Sequence, residues 1–242
     1  MLLLAIDTAT RRVGVALGNG EGVLGAVELG AIELGGRASV GPPRHAEQLA
    51  PAIEWVCDQA GIALADVSAI AVGIGPGMFT GLRVGVTTAK VLGLALGVPL
   101  VAVPSLDLVA YPLRHAAADL VVPLIDARRN EVYFALYRPV PGGVQRVSDY
   151  SLATPTDLEA ELTARGRSAL LCGDGALRFR SVFDDHDLVA LAGPGHATPD
   201  LAALVELAAA RFARGQVVTA AEVVPLYLRR SDAELARDRR GA

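Results

Sequence analysis

The fold is decided by a short stretch near the N-terminus, Leu2-Leu3-Leu4-Ala5-Ile6-Asp7-Thr8-Ala9-Thr10, and by the segment Val13-Gly14-Val15-Ala16-Leu17 that follows it. The apolar run over residues 2–6 predicts a buried strand, and the polar residues 7–10 predict a turn. The alternation over residues 13–17 predicts a return strand. The chain therefore opens with a β-hairpin whose turn carries an aspartate.

The same pattern occurs a second time around Asp126. Residues 121–125 predict a buried strand, which ends in the turn Asp126-Ala127-Arg128-Arg129-Asn130, and residues 131–137 predict its hairpin partner. A strand, an acidic turn and a return strand thus appear once in each half of the chain. Such a duplication favours an α/β protein with an actin-like, two-lobed architecture in which helices flank mixed sheets and the second lobe is reduced.

The remaining periodicities place helices and strands between and after these hairpins. We expect an N-terminal lobe over residues 1–103, a smaller C-terminal lobe over 104–222, and a terminal segment over 223–242 that is extended at first and then disordered. Residues 30–43, rich in glycine with Pro42 and Pro43, predict a loop whose role is open. The predicted elements are a strand at 23–29, a helix at 45–60, strands at 69–72 and 99–103, helices at 80–96, 106–117 and 157–165, a strand at 169–172, a helix at 200–214 and an extended segment at 223–229.

Composition excludes several classes of protein. The 242 residues are 52% hydrophobic and 20% charged, which suits a compact core. A net charge of −4 argues against a self-sufficient nucleic-acid binder, since such domains carry a basic patch. Two distant cysteines, Cys57 and Cys172, favour a reduced, cytoplasmic protein. Residues 91–103 are too short and too interrupted to span a membrane, so no membrane association is expected.

A glycine-dense loop, Gly73-Ile74-Gly75-Pro76-Gly77-Met78-Phe79-Thr80-Gly81, runs into the helix predicted at 80–96. Glycines permit backbone geometry that side chains forbid, and the start of a helix attracts anions. The loop can therefore hold a phosphate, or it can bring two backbones close together. It is not a Walker loop, because no Gly-Lys-Ser/Thr follows.

Four residues are candidates for a residual nucleotide cleft: Asp7, Thr8, Thr10 and Asp126. In an actin-like enzyme the two aspartates would flank a magnesium nucleotide. Asp126, however, precedes Ala127 and two arginines, where a phosphate-binding turn would be rich in Gly and Thr. Capping and turn roles remain the alternative for Asp7 and the two threonines.

Six sequence blocks occur in order along the chain: Leu4–Thr10, Arg44–Pro51, Gly75–Gly85, Ile125–Arg128, Gly173–Gly175 and Pro225–Arg229. Together they resemble the TsaB family. This resemblance implies an actin-like fold of the sugar kinase and heat-shock type, and a role in forming threonylcarbamoyladenosine beside the anticodon of tRNA. It also implies a non-catalytic subunit, which pairs with a TsaD-type transferase of the same fold and works with a TsaE-type P-loop ATPase.

The resemblance also bears on metal chemistry and cofactors. The catalytic relative carries two histidines four residues apart, and Ser105 and Val109 stand at the matching positions here. Valine cannot ligate a metal, so we expect no metal site, no catalytic residue and no cofactor on this chain, with ATP and metal on the partner subunits. Contact with tRNA is expected only through the complex.

The partner surface is predicted from two helices, 45–60 and 80–96. Glycine inside a helix costs up to about 1 kcal/mol relative to alanine, which is easier to understand if another backbone packs closely there. That backbone could belong to a partner or to the protein's own sheet. Without its partner the helix pair could self-associate into a homodimer. The predicted interface residues are Ala52, Trp55, Gln59, Arg83, Gly85, Thr87, Ala89 and Lys90.

An enzyme in its own right is the alternative, either an ATP-dependent small-molecule kinase or a metal-dependent hydrolase of actin-like fold. His45 and Glu47 do not favour proteolysis, because a general base needs a nucleophile and an orienting acid within reach. Glu47 lies two residues on and points elsewhere on the helix. A role at the start of the helix is therefore predicted for His45.

Overall fold

A computed structural model describes residues 1–30 and 44–229. The loop predicted over 30–43 and the tail predicted beyond the terminal extended segment fall outside these residues, apart from Gly30. The described chain forms two mixed sheets with helices packed on their faces, which is the predicted fold class.

The first sheet has five strands in the order β3-β2-β1-β4-β5. The hairpins β1–β2 and β2–β3 are antiparallel, and the pairs β1–β4 and β4–β5 are parallel. The N-terminal hairpin is therefore confirmed. The strands are β1 (Leu2–Asp7), β2 (Val13–Asn19), β3 (Gly22–Leu29), β4 (Ala69–Gly73) and β5 (Leu100–Val103).

The second sheet repeats this topology. Its main path is β10-β7-β6-β11-β12, again with two antiparallel pairs followed by two parallel ones. The duplication predicted around Asp7 and Asp126 is therefore confirmed. The strands are β6 (Leu120–Asp126), β7 (Val132–Phe134), β8 (Tyr137–Val140), β9 (Gly143–Arg146), β10 (Ser151–Ala153), β11 (Ala169–Cys172) and β12 (Val189–Leu191).

The two longest helices, α1 and α2, end where glycine predicts that they should. Gly61 (φ 62°) and Gly97 (φ 67°) both adopt the left-handed conformation that closes a helix. The helices are α1 (His45–Ala60), α2 (Phe79–Leu96), α3 (Ser105–Ala110), α4 (Pro155–Arg165), α5 (Asp174–Arg178), α6 (Arg180–Phe183) and α7 (Leu201–Ala213).

Strand β1 shows how the first sheet is buried on both faces. Leu4 and Ile6 point into a core shared with α1 and α2, while Leu3 and Ala5 point into a second core shared with α7. This alternation follows from the two-residue period of a strand. A continuous apolar run is therefore the expected sequence for this strand.

Helix α7 belongs to the first lobe, which corrects the predicted domain boundary. Leu204 and Val205 pack against the first sheet, and Val218 then bridges to Leu100 of β5. The second lobe therefore ends before residue 201, and the range 104–222 is too long. An alanine-rich helix carries no local signal of which sheet it covers, so the sequence alone did not reveal this return.

Two elements differ from their predicted extents. The helix predicted over 106–117 ends at Ala110 and continues as a single 3₁₀ turn, in which Pro112 has no N–H to donate. The strand predicted over 131–137 divides into β7 and β8, because the backbone of Leu136 bonds to Val147 and Ser148. The hairpin β8–β9, strands β10 and β12, and helices α5 and α6 were not predicted.

Asp107 joins the two lobes through one carboxyl group. Its Oδ1 accepts hydrogen bonds from the hydroxyls of Tyr137 (2.7 Å) and Tyr150 (2.8 Å), both on the second lobe. Its Oδ2 accepts from Arg211 of α7 at 3.2 Å, and Arg211 also donates to the carbonyl of Ala102. Burial, together with the charge of Asp107, raises the pKa of both tyrosines.

Replacing Asp107 with alanine should lower the free energy of unfolding by about 2 kcal/mol, because one cation and two hydroxyls lose their acceptor. The figure allows for the partial exposure of Arg211, which lets water replace some of the lost contacts. Urea unfolding at pH 7 measures the change. Asp184→Ala, which breaks a surface pair with Arg180, is the control and should change stability by less than about 0.5 kcal/mol. An equal response of the two variants would contradict the role of Asp107.

Helix α2 is the one described helix that is long and apolar enough, by length and composition, to cross a membrane. A helix that covers a sheet in a globular protein meets the same criterion. Gly85, Val86 and Ala89 of α2 are buried against the first lobe. The apolar composition of α2 is therefore accounted for in part by its packing on this lobe.

Candidate functional site

The glycine loop brings two backbones together. A Cβ at Gly77 would collide with the carbonyl oxygen of Ala9, and a Cβ at Gly81 would collide with that of Thr8. The N–H of Met78 also donates to the carbonyl of Ala9 at 2.7 Å. The loop and the start of α2 thus lie directly on the acidic turn that follows β1. Of the two roles open to this loop, close backbone approach is the one that the structure shows.

The carboxyl group of Asp7 is enclosed by protein atoms. Its Oδ1 accepts from the N–H of Ala9 at 3.1 Å, and its Oδ2 accepts from the hydroxyl of Ser105 at 3.4 Å. Gly73 lies so close that a Cβ there would overlap Oδ2. Asp7 is only 4% exposed, and this burial raises its pKa to about 6 despite the two hydrogen bonds. These contacts match the turn role predicted as an alternative to catalysis.

Thr8, Thr10 and His45 complete this buried turn. The hydroxyl of Thr8 donates to the carbonyl of Gly81 at 2.8 Å. Nε2 of His45 lies 2.8 Å from the carbonyl of Thr10, and it must carry the hydrogen because a carbonyl only accepts. Burial lowers the pKa of His45. His45 is the first residue of α1, as predicted, and it fastens that helix to the turn.

The corresponding turn of the second lobe is built differently. Arg128, Arg129 and Asn130 all have positive φ, at 62°, 52° and 62°. Three consecutive non-glycine residues in the left-handed region are unusual and cost energy. Asp126 stabilises the turn, because its Oδ1 accepts from the N–H of Arg128 at 2.9 Å and its Oδ2 accepts from Arg178 at 3.0 Å.

Asp174 supports this turn from behind. Its Oδ1 accepts from the N–H of Asp126 at 2.9 Å. It is partly buried at the start of α5, and desolvation of its carboxyl raises its pKa to about 6. The Gly173-Asp174-Gly175 block thus has a structural role that was not predicted.

A cavity of about 390 Å³ lies between the two lobes. Its walls are the start of α2, the turn after β6, and the final described residues of the chain. We call residues 223–229 the C-terminal strap. The lining residues are Gly77, Met78, Phe79, Thr80, Asp126, Ala127, Arg128, Arg129, Tyr133, Leu226, Tyr227, Leu228 and Arg229.

The four predicted cleft residues do not meet in this cavity. Asp126 lines it, but Asp7, Thr8 and Thr10 are buried behind the glycine loop. The physical reason is the contact of Gly77 and Met78 with Ala9, which closes the first turn from the inter-lobe side. Within residues 1–30 and 44–229, no group of three or more His, Cys, Asp or Glu side chains is placed to hold a metal ion.

The predicted partner-interface residues divide into an exposed set and a buried set. Trp55 is 49% exposed, and Gln59, Arg83 and Thr87 are also exposed. Ala52, Gly85 and Ala89 are buried in the first lobe, so they do not belong to its surface. Gly85 abuts the hydroxyl of Thr8, and Gly93 abuts Leu100. The small-residue stripe of α2 therefore packs on the protein's own sheet.

Lys90 is half-buried rather than free at the surface. Its ammonium donates to the carbonyl of Val223 at 2.9 Å and so fastens the C-terminal strap to α2. Sequence reasoning missed the two most exposed apolar residues of the helix, Val91 (58%) and Leu94 (73%). Both continue the stripe of Arg83 and Thr87 at helical spacing, so extending that stripe by two turns would have found them.

Arg83 is held in place by aromatic rings. Its guanidinium lies 4.0 Å from the ring centre of Phe79, and its Nε donates to the hydroxyl of Tyr227 at 3.4 Å. The rings of Phe79 and Tyr227 are 5.1 Å apart and tilted by 36°. Because the guanidinium is already stacked, Arg83 loses less side-chain entropy on binding a partner than an unsupported arginine would.

Comparison with known proteins agrees with this architecture. Residues 40–237 match the family model described as TsaD, tRNA N6-adenosine threonylcarbamoyltransferase. The TsaB protein of Haemophilus influenzae, a tRNA threonylcarbamoyladenosine biosynthesis protein, is 32% identical over 95% of this chain and 94% of its own length. The solved structure of YeaZ from Pseudomonas aeruginosa superposes with a TM-score of 0.77 at 30% identity, covering 94% of this chain and 99% of that one.

A further relative matches only in part. An uncharacterised protein of Mycobacterium leprae is 40% identical over 160 residues. The matched region covers 65% of this chain and 40% of that protein. The nearly full-length matches carry the assignment, because they cover at least 94% of this chain and at least 94% of the relative. On the evidence of its duplicated topology, its glycine loop and these relatives, the chain belongs to the TsaB family and has the actin-like fold of that family.

Proposed function

We propose that this protein is an accessory subunit in the biosynthesis of threonylcarbamoyladenosine in tRNA, and that it pairs with a TsaD-type transferase and activates it. The role in this pathway follows from membership of the TsaB family. The pairing surface is the outward side of α1 and α2, which we call the helix-pair face. It comprises Trp55, Gln59, Arg83, Thr87, Val91 and Leu94.

The observation that carries the proposal is the apolar character of this face. Trp55, Val91 and Leu94 are each about half or more exposed, on two helices that are in contact with each other. Tryptophan and arginine are the residues that most often anchor protein interfaces, and Arg83 is already positioned by Phe79 and Tyr227. A partner of the same fold would meet this face with its own helix pair and form a four-helix contact.

The acidic turn supports a subunit without chemistry of its own. The Asp7 carboxyl is only 4% exposed and accepts hydrogen bonds from Ala9 and Ser105, so it is not presented to the cavity between the lobes. We therefore assign the ATP and metal chemistry to the partner subunits and no catalytic residue to this chain. The names of the relatives do not favour the alternative of an independent kinase or hydrolase.

The proposal extends to the remaining partners and to location. The subunit works with a TsaE-type ATPase, contacts tRNA only through the complex, and acts in the cytoplasm. When the transferase is absent, two copies bury the helix-pair face against each other as a two-fold homodimer. Formation of the heterodimer then replaces that homodimer, because both use the same surface.

Light scattering after size exclusion tests the proposal, with this chain alone and mixed with the transferase paralogue of the same organism. A one-to-one heterodimer is expected. Leu94→Glu, and separately Trp55→Ala with Arg83→Glu, should raise the dissociation constant at least 30-fold, because each places a charge or a void in a desolvated contact. Titration calorimetry measures the constants.

Leu188→Glu is the matched control, since Leu188 is an exposed leucine on the second lobe. It should leave the dissociation constant unchanged. Thermal unfolding checks that all variants remain folded. A wild-type mixture that stays as two separate species, with both proteins folded, would overturn the proposed pairing.

A further inference from the structure

The C-terminal strap is fastened to both lobes although it contains no helix or strand within its described residues. Lys90 holds the carbonyl of Val223, and the N–H of Leu226 donates to the carbonyl of Ile74 at 2.7 Å. At the far end, Arg229 donates to the carbonyl of Ala127 at 2.7 Å and forms an ion pair with Glu131. Segments close to a chain terminus are usually mobile unless they are tied down, and the strap is tied down at several points.

The strap runs antiparallel to α2 along the side of the helix-pair face. Val223 lies at Lys90, and Tyr227 lies at Phe79 and Arg83. From Arg83 to Lys90 the helix rises about 10 Å, since each residue adds about 1.5 Å. Four extended residues, from Val223 to Tyr227, span about 13 Å. The two lengths are similar, so the strap follows the helix for about two turns.

The strap presents apolar side chains to solvent beside those of α2. Val223 is buried against the first lobe, whereas Val224 is 65% exposed and Tyr227 is 42% exposed. Val224 follows the residue held by Lys90, and Val91 follows Lys90 itself. Val224 and Tyr227 thus belong to a segment that is hydrogen-bonded to α2 at Lys90 and at Arg83. An isolated exposed valine needs no explanation, but a contiguous apolar patch marks an interaction site.

The area of the helix-pair face gives a reason for extending it. A specific interface buries about 800 Å² on each partner, of which roughly 450 Å² is apolar. Trp55, Val91 and Leu94 expose about 300 Å² between them, judged from their exposed fractions and the usual size of such side chains. Val224 and Tyr227 of the strap expose about 180 Å² more.

We propose that the C-terminal strap is part of the surface that binds the transferase subunit, with Val224 and Tyr227 as contact residues. This inference rests on the function proposed above, since it adds a third element to the helix-pair face. A helix of the partner that packs on α2 at the usual interaxial distance of about 8–10 Å would also reach the segment that flanks α2. Tyr227 also fixes the position of Arg83. The strap therefore contributes contact residues of its own and orients a contact residue of α2.

The test is Val224→Glu, measured by titration calorimetry against the purified transferase paralogue. Val147→Glu is the matched control, because Val147 is an exposed valine on the second lobe. We expect the dissociation constant to rise at least 10-fold for Val224→Glu and to remain at the wild-type value for Val147→Glu. Both side chains are exposed, so both variants should unfold at the wild-type temperature.

Leu94→Glu separates failure of this inference from failure of the proposed function. If Leu94→Glu weakens binding and Val224→Glu does not, the surface ends at α2 and the strap proposal is wrong while the proposed function stands. If both variants bind as the wild type does, both surface assignments are wrong. If the wild type forms no complex, the proposed function fails and the strap proposal fails with it. Weakening by both glutamates, with Val147→Glu unchanged, supports the strap as a contact element.

Discussion

Replacing Gly81 with alanine is expected to lower the free energy of unfolding by at least about 3 kcal/mol. Alanine normally stabilises a helix by about 1 kcal/mol relative to glycine, so helix propensity alone would predict an increase in stability. The reason is the contact between α2 and the acidic turn, in which a Cβ at Gly81 would overlap the carbonyl oxygen of Thr8. Neither backbone can move alone, because the hydroxyl of Thr8 also donates to the carbonyl of Gly81.

Gly20→Ala is the matched control for this substitution. A Cβ at Gly20 meets nothing within 4 Å, and its φ lies outside the left-handed region, so stability should change by less than about 0.5 kcal/mol. Gly93→Ala should fall between the two, because its Cβ would meet the movable end of the Leu100 side chain. Urea unfolding of all three variants tests this order. A Gly81→Ala protein as stable as the wild type would show that the loop and the turn are not in close contact.

The second large effect concerns pH and Asp7. Burial raises the pKa of Asp7 from 3.8 to about 6 in the folded protein. Because the folded state then favours the protonated carboxyl, this group stabilises the fold most below about pH 4. That contribution is lost as the pH rises through about 6, and the total loss is about 3 kcal/mol. Asp7→Asn removes the ionisation and keeps an oxygen that can accept from Ala9.

The Asp7→Asn variant should therefore be the more stable protein at pH 8, and its advantage should shrink by about 3 kcal/mol between pH 8 and pH 4. Urea unfolding at half-unit steps of pH measures the difference from the wild type, which cancels the titration of the other carboxyls. Asp185→Asn removes an exposed carboxyl and serves as the control, with a curve parallel to that of the wild type. A constant difference between Asp7→Asn and wild type at all pH values would show that the carboxyl is hydrated.

Local patterns were sufficient to predict the fold class. The two acidic hairpins, the glycine stops of α1 and α2, and the parallel strands β4 and β5 all rest on signals within about 20 residues of sequence. The placement of α7 on the first lobe depends instead on contacts between Leu204 and strands laid down two hundred residues earlier. The sequence of an alanine-rich helix contains no local pattern that indicates which of two sheets the helix packs on.

The candidate site was predicted in part, for a similar reason. Helical spacing correctly placed Trp55, Gln59, Arg83 and Thr87 on the outside. It could not show whether a glycine in the helix packs against a partner or against the protein's own turn. Gly85 packs against Thr8 of that turn. Tyr227 was missed as a support for Arg83, because that contact joins residues 144 positions apart.

The return of α7 to the first sheet has a consequence for synthesis on the ribosome. Residues 104–200 form a contiguous insertion, so the second lobe can fold as soon as it has emerged. The first lobe cannot finish until Leu201–Ala213 has been made, roughly 100 residues after β5. At about 5–20 residues per second this interval is about 5–20 s. The segment translated first is therefore the segment completed last, and during that interval its sheet exposes the apolar face that α7 will cover.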